Sequence, residues 1–438
     1  MNCSAVPPPS VSGPSSPPRP ARPPPSPRPP PRRPSHPARV AVVGAGISGL
    51  TAALTLKDAG VGCTLYEANP SRVGGRMYSQ RTHWAYGQTS EIGAELIDTT
   101  PAGTALDDMT LYEWIETRVP GGHGSRLGSF IDVAYNVEYG ADTDQQSALA
   151  LVLLMGYQTN PGHFNVWGLS NERYDITGGN DRLPNAIAQA LPAGSLVMGR
   201  ELTAVRVSAD GTQSLTFDDA GSVRTVVADH TVLCLPLPLF QRIDLSGAGL
   251  DPLMKNLLRD ARMGYCTKLN MQFTARPWRG TGPWPGVSAG ECFTDSPVQQ
   301  VWDTTKVQPG TGGILLQYGG GSLAGALTPG SPFATESDRY VRDLAGRVLA
   351  GVDAFFPGTK AAWNGRAQLS AWHENPHSLG AYSYWPTGYL HRYAKYEGTA
   401  QGRIHIGGEH CSYDFQGFME GGATEGERAA REVIAALT

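Results

Sequence analysis

Long apolar runs are missing from this chain: none of its 438 residues fall in a stretch near the roughly 20 apolar residues a helix needs to cross a bilayer, so no membrane span is predicted. An excess of either charge is missing too. The 35 Lys and Arg against 39 Asp and Glu leave a net charge of -4, which gives no electrostatic footing for a nucleic-acid partner or an anionic membrane. Cysteines are few: Cys3, Cys63, Cys234, Cys266, Cys292 and Cys411 form no CxxC pair and no metal-ligand spacing, so reduced thiols and no metal are expected. A hydrophobic stretch is also absent after Arg32-Arg33, where Pro34 and polar residues follow; a twin-arginine export signal needs one, so a cytoplasmic location is expected.

What is present suits a globular protein. The chain is long enough for the cores of two or three domains, and 40% of it is hydrophobic. Its first 37 residues hold 16 of the 35 prolines and no apolar stretch to collapse around, which predicts a disordered or polyproline-like tail, or a start codon placed too far upstream.

Arg39 to Val43 is a short β-branched run, followed directly by Gly44-Ala45-Gly46-Ile47-Ser48-Gly49 and a helical pattern that ends at Gly60. Strand, tight turn and helix in this order form a dinucleotide fingerprint. Gly44 permits the turn, Gly46 lets the backbone approach a pyrophosphate, and Gly49 allows close packing of strand and helix. A second strand, Val61 to Tyr66, delivers Glu67, 23 residues after Gly44, where a carboxylate accepts hydrogen bonds from a ribose diol. Gly74, Gly75 and Arg76 follow and add to the phosphate site. This unit does not choose between FAD and NAD.

At the other end, Arg403 to Ile406 reads as a strand, then Gly407-Gly408-Glu409, then Gly417-Phe418-Met419-Glu420-Gly421-Gly422 opening the last helix. A helix entered through small residues can bring its N-terminal N–H groups against a developing anion. Such a charge arises at the N1/O2 edge of a reduced flavin; an amphipathic packing helix capped by glycines is the alternative.

Together, GAGISG, Glu67, GGR and GGE with GFMEGG resemble the flavin amine oxidase superfamily of monoamine, polyamine and L-amino acid oxidases. The resemblance implies an α/β fold with noncovalent FAD. A discontinuous Rossmann-like FAD-binding domain would comprise residues 38–98, 176–242 and 401–438, and an α+β substrate domain with a mixed sheet residues 99–175 and 243–400. Ile176 to Asn180, before a helix with Leu183, Ile187 and Leu191 on one face, also matches. Leu202 then falls where the family contacts the adenine end, and Gly93 and Ala94 where it passes the flavin's reactive edge. Gly408, Glu409 and Met419 fall at the flavin end.

Met263 to Phe273 alternates like a strand, which puts Lys268 on one face with Cys266 and Asn270. By resemblance Lys268 matches the lysine that holds a water near flavin N5; read alone, it is a snorkelling or edge-strand lysine. Tyr382 and Phe418 match the two walls of an aromatic cage that aligns a neutral amine. Tyr384 beside them reads equally well as core. Ala381 stands where monoamine oxidases carry the cysteine bonded to FAD, which is why noncovalent FAD is expected. No arginine follows Glu91 to Asp98 where L-amino acid oxidases place one, which favours amines; Glu95 or Asp98 would suit a distant ammonium. Cys411 beside His410 reads poorly as a nucleophile pair, because sequence neighbours point apart.

Between Pro101 and Leu106 only a few residues stand where the family has a long helical stretch. That shortening predicts lost cavity walls and exposed apolar surface. The expected reaction is oxidation of a small-molecule amine to an imine, with hydride transfer to flavin N5 and reoxidation by O2 to hydrogen peroxide. Rivals are an L-amino acid oxidase, a flavin desaturase, and a shortened homologue that binds FAD without turnover. The oligomeric state is left open, a dimer included.

Overall fold

Val40–Val43 carries apolar side chains on both faces and is buried along its whole length, the pattern of a strand in the middle of a parallel sheet. A computed structural model, which describes residues 38–77, 79–80, 90–91, 106–156, 164–167, 175–284 and 287–438, places it there. The sheet runs in the order Ile404–Ile406, His230–Leu233, Val40–Val43, Cys63–Tyr66 and Leu196–Val197, all parallel. Strand alternation sends Val40 and Val42 to one side and Ala41 and Val43 to the other. On the first side lie the helix Ile47–Asp58 and the closing helix Met419–Leu437, packed along each other. On the second lie Leu202, Leu215 and Phe217 of a four-stranded sheet, with Phe217 stacked on Tyr66 at 4.6 Å between ring centroids.

That four-stranded sheet is mixed. Asp244–Gly247 pairs parallel with Glu201–Val207, and Gln213–Asp219 and Ser222–Ala228 continue antiparallel.

The third sheet has five strands, in the order Cys292–Phe293, Gln300–Asp303, Gly313–Gly319, Thr267–Phe273 and Trp363–Ala371, antiparallel throughout. Leu269, Met271 and Phe273 pack under the helix Arg339–Phe355, with its Val341, Leu344, Val348 and Val352. The intervening Lys268, Asn270 and Gln272 therefore occupy the opposite face. Three helices, Leu111–Arg118, Arg126–Tyr139 and Ala148–Met155, supply core residues beside the parallel sheet. The first has a full capping box between Thr110 and Glu113. The second stops at Gly140, in a left-handed conformation (φ +63°), where a Cβ would lie 2.5 Å from Cys266 Sγ. Only glycine lets this helix end press against the chain just before Lys268.

Tyr112, Leu127 and Phe164 are 45%, 46% and 56% exposed. No helix among the described residues is long and apolar enough to cross a membrane.

Candidate active site

A cavity of about 610 Å³ is lined by the Gly-rich turn, by residues around Lys268 and by the start of the closing helix. At the turn, Gly44 has φ +95°, and a Cβ on it would sit 2.6 Å from the Cys234 carbonyl oxygen. No other residue fits there without moving backbone. Gly49 packs behind the turn rather than lining the cavity, as does Ala45, which is fully buried. The second loop docks directly: Gly74 N donates to Ala45 O at 2.8 Å, and a Cβ on Gly75 would come 3.2 Å from Gly46 Cα.

Neither the helix Ile47–Asp58 nor the helix Met419–Leu437 has a side-chain N-cap hydrogen bond. Ile47 and Ser48 of the first and Met419 and Gly422 of the second line the cavity. Two helix N-termini, each with N–H groups unclaimed by a cap and a positive dipole end, thus meet one cavity. Glu67 lines it too; its carboxylate accepts from Ala45 N at 2.6 Å and Asn69 N at 2.9 Å. Leu202 contributes from the four-stranded sheet. The shape and the donor set fit a dinucleotide, with its pyrophosphate at the first helix and an electron-rich ring edge at the second.

Arg76 lines the cavity as well. Its Nη1 donates to Ala381 O and to Glu409 Oε1, each at 2.8 Å, so the guanidinium ties the second loop to the far end of the cavity. Burial pushes the Glu409 carboxyl up, yet Arg76, His410 and the Ser383 hydrogen bond together outweigh this and leave it below the usual range.

At that far end Lys268, Tyr382 and Phe418 all line the cavity. Lys268 is 8% exposed, and its Nζ lies 5.7 Å from the Trp302 ring centroid and 5.8 Å from that of Tyr318, a cation–π arrangement. The two rings meet edge-on at 5.1 Å. The Tyr382 hydroxyl pairs with that of Tyr318 at 2.8 Å, receives the Cys266 thiol at 3.1 Å and donates to Glu138 O at the end of the helix Arg126–Tyr139. Burial, reinforced by Cys266, holds the Tyr382 phenol well above its ordinary value, and burial pushes the Cys266 thiol up to about 11. Both stay protonated near neutral pH, so this wall carries no negative charge.

Other residues fall elsewhere. Tyr384 is buried in the main core. Cys411 Sγ contacts Ile406 O, and neither ring nitrogen of His410 has a hydrogen-bond partner, so they form no nucleophile pair. Ile187 and Leu191 pack into the core, whereas Leu183 is 43% exposed and the neighbouring Pro184 is buried against Gly74. Gly93, Ala94, Glu95 and Asp98 lie outside the described residues. The sequence reading missed Trp302 and Tyr318; a strand register pairing Lys268 with Tyr318 was the signal that would have found the second.

Known proteins are similar to this chain over most of its length. The family model for flavin containing amine oxidoreductases matches residues 102–434, and that for an NAD(P)-binding Rossmann-like domain matches 42–110. An L-amino-acid oxidase of Mus musculus is 26% identical, covering 91% of this chain and 71% of its own length. A flavin-containing amine oxidase of Danio rerio is 22% identical, covering 91% and 86%. Among solved structures, a putrescine oxidase double mutant and the cyclohexylamine oxidase of Brevibacterium oxydans each superpose with a TM-score of 0.71 at 20% identity, over 91% of this chain and 99% of theirs.

Proposed function

The chain belongs to the flavin-containing amine oxidoreductase family, and on that premise we propose that it oxidises a small-molecule amine to an imine with dioxygen as the electron acceptor. FAD, when bound, supplies the two-electron acceptor and passes the electrons to dioxygen, giving hydrogen peroxide. The observation that carries the reading is the single cavity in which the Gly-rich turn, Lys268, Tyr382 and Phe418 are all lining residues.

In this reading the turn Gly44 to Gly49 and the Gly74–Gly75 loop hold the pyrophosphate, Glu67 the adenosine ribose, Leu202 the adenine side, and Gly408 and Met419 the flavin end. With no cysteine at Ala381, attachment there is noncovalent. Tyr382 and Phe418 flank the substrate and orient its reacting C–H bond by its apolar body. Their neutrality suits an uncharged amine. Lys268, held against the Trp302 and Tyr318 rings, positions a water and moves protons during reoxidation.

A second reading, oxidation of an L-amino acid, is supported by the mouse relative and by Lys306, a cation among the lining residues able to meet a carboxylate. Peroxide release from pooled amines against pooled L-amino acids tests the two. The amine pool is expected to yield peroxide; peroxide from the amino-acid pool alone replaces the first reading by the second.

A further inference from the structure

The Glu409 side chain is 7% exposed and accepts from four protein donors. Oε1 takes Arg76 Nη1 at 2.8 Å and Ser383 N at 3.1 Å. Oε2 takes Ser383 Oγ at 2.6 Å and Gly417 N at 2.9 Å. A carboxylate that binds four donors has its acceptor capacity filled by protein and none to spare for a ligand.

The addresses of those donors matter more than their number. Ser383 follows Tyr382 in the chain, and Gly417 precedes Phe418. Arg76, itself held by Glu409, grips Ala381 O on the other side of Tyr382. Gln416 Nε2 closes the ring by donating to Ser383 Oγ at 2.9 Å. Gly417 lies against the Tyr382 ring, since a Cβ there would be 3.7 Å from Tyr382 Cδ2.

We propose that Glu409 is a positioning residue: it clasps the backbone beside Tyr382 to the backbone beside Phe418 and so sets the spacing of the two aromatic walls across the flavin. The inference rests on the assignment of those rings as walls of the substrate site. Charge-assisted bonds to backbone N–H groups are short and directional, so one buried carboxylate fixes both segments, which are more than thirty residues apart in sequence. Its effect passes through the rings, because protein donors take up the carboxylate's acceptor positions.

The test compares Glu409→Gln and Ser383→Ala with the wild-type holoenzyme by visible circular dichroism of the bound flavin, by bound FAD per chain, and by the anaerobic rate of flavin reduction with an amine. Glutamine cannot accept at both ends, so the first variant is expected to keep FAD, alter the flavin dichroism and slow reduction by about 10- to 100-fold through misalignment. Ser383→Ala should shift the same signals less. A carboxylate with a merely structural role would lower the melting temperature and leave the dichroism unchanged. Wild-type dichroism in both variants at full FAD occupancy overturns the proposal. Should Glu409→Gln fail to fold or to hold FAD, Ser383→Ala decides alone on the same terms. If no amine reduces even the wild-type flavin, the amine reading fails while the dichroism still settles the clasp.

Discussion

The parallel and antiparallel sheets contribute to one cavity by different means. Beside the parallel sheet, backbone does the work: Gly44 turns where no side chain fits, a Cβ on Gly75 would crowd Gly46 at 3.2 Å, and two uncapped helix N-termini present N–H groups. On the antiparallel sheet the work falls to side chains from separate strands, Lys268 on one, Trp302 and Tyr318 on two others, brought together by register. A backbone site fails abruptly when a side chain is added. A side-chain site loses function by degrees, and without losing the cofactor.

The sharpest way to break the contrast is Gly44→Ala. The added methyl meets the Cys234 carbonyl oxygen at 2.6 Å in a left-handed conformation, and strain of roughly 2–3 kcal/mol would weaken FAD about 30- to 140-fold. Absorbance of the purified protein should show little flavin; a fully yellow variant would remove the backbone from the explanation. Lys268→Met comes next. It should hold FAD at full occupancy while slowing flavin reoxidation by about 100-fold, and unchanged reoxidation in stopped flow would show that this lysine has no part in the chemistry. Tyr382→Ala should lower kcat/KM by about tenfold and again spare FAD; lost FAD instead would mean that the two kinds of site are not separable.

The smallest effect concerns stability. Burial pushes His410 down to about 4, whereas an unfolded histidine titrates near 6.5. Between these values the unfolded chain binds more protons, so the folded state loses stability as pH falls through this window, by roughly 2–3 kcal/mol. His410→Gln should flatten the dependence of the melting temperature on pH between about 6.5 and 4. His230, likewise pushed down to about 4 by burial, would keep some slope. An identical profile in wild type and His410→Gln would assign the titration elsewhere.

The same contrast explains what could be read from the sequence. The strand, turn and helix at Val40 to Asp58 and the helix after Phe418 were legible because each is a contiguous segment whose glycines announce its geometry. Glu67 was legible from spacing alone. Lys268 was found by alternation and resemblance, but Trp302 and Tyr318 were not, since only pairing between strands sets their rings beside its Nζ. Arg76 and Glu409 were read as cofactor contacts from their neighbours in sequence; both line the cavity, and the pairing of their charged ends, 333 residues apart, could not be read from those neighbours. Fourfold spacing put Leu183, Ile187 and Leu191 on one face; Ile187 and Leu191 join the core, but Leu183 is 43% exposed and the neighbouring Pro184 sits against Gly74.

The central claim is that this cavity joins a dinucleotide cradle to an amine-oxidising site. Anaerobic addition of pooled amines to the purified yellow protein tests it most directly. The visible flavin band should bleach, then return with peroxide when air is admitted. A band that persists under every amine would contradict the account.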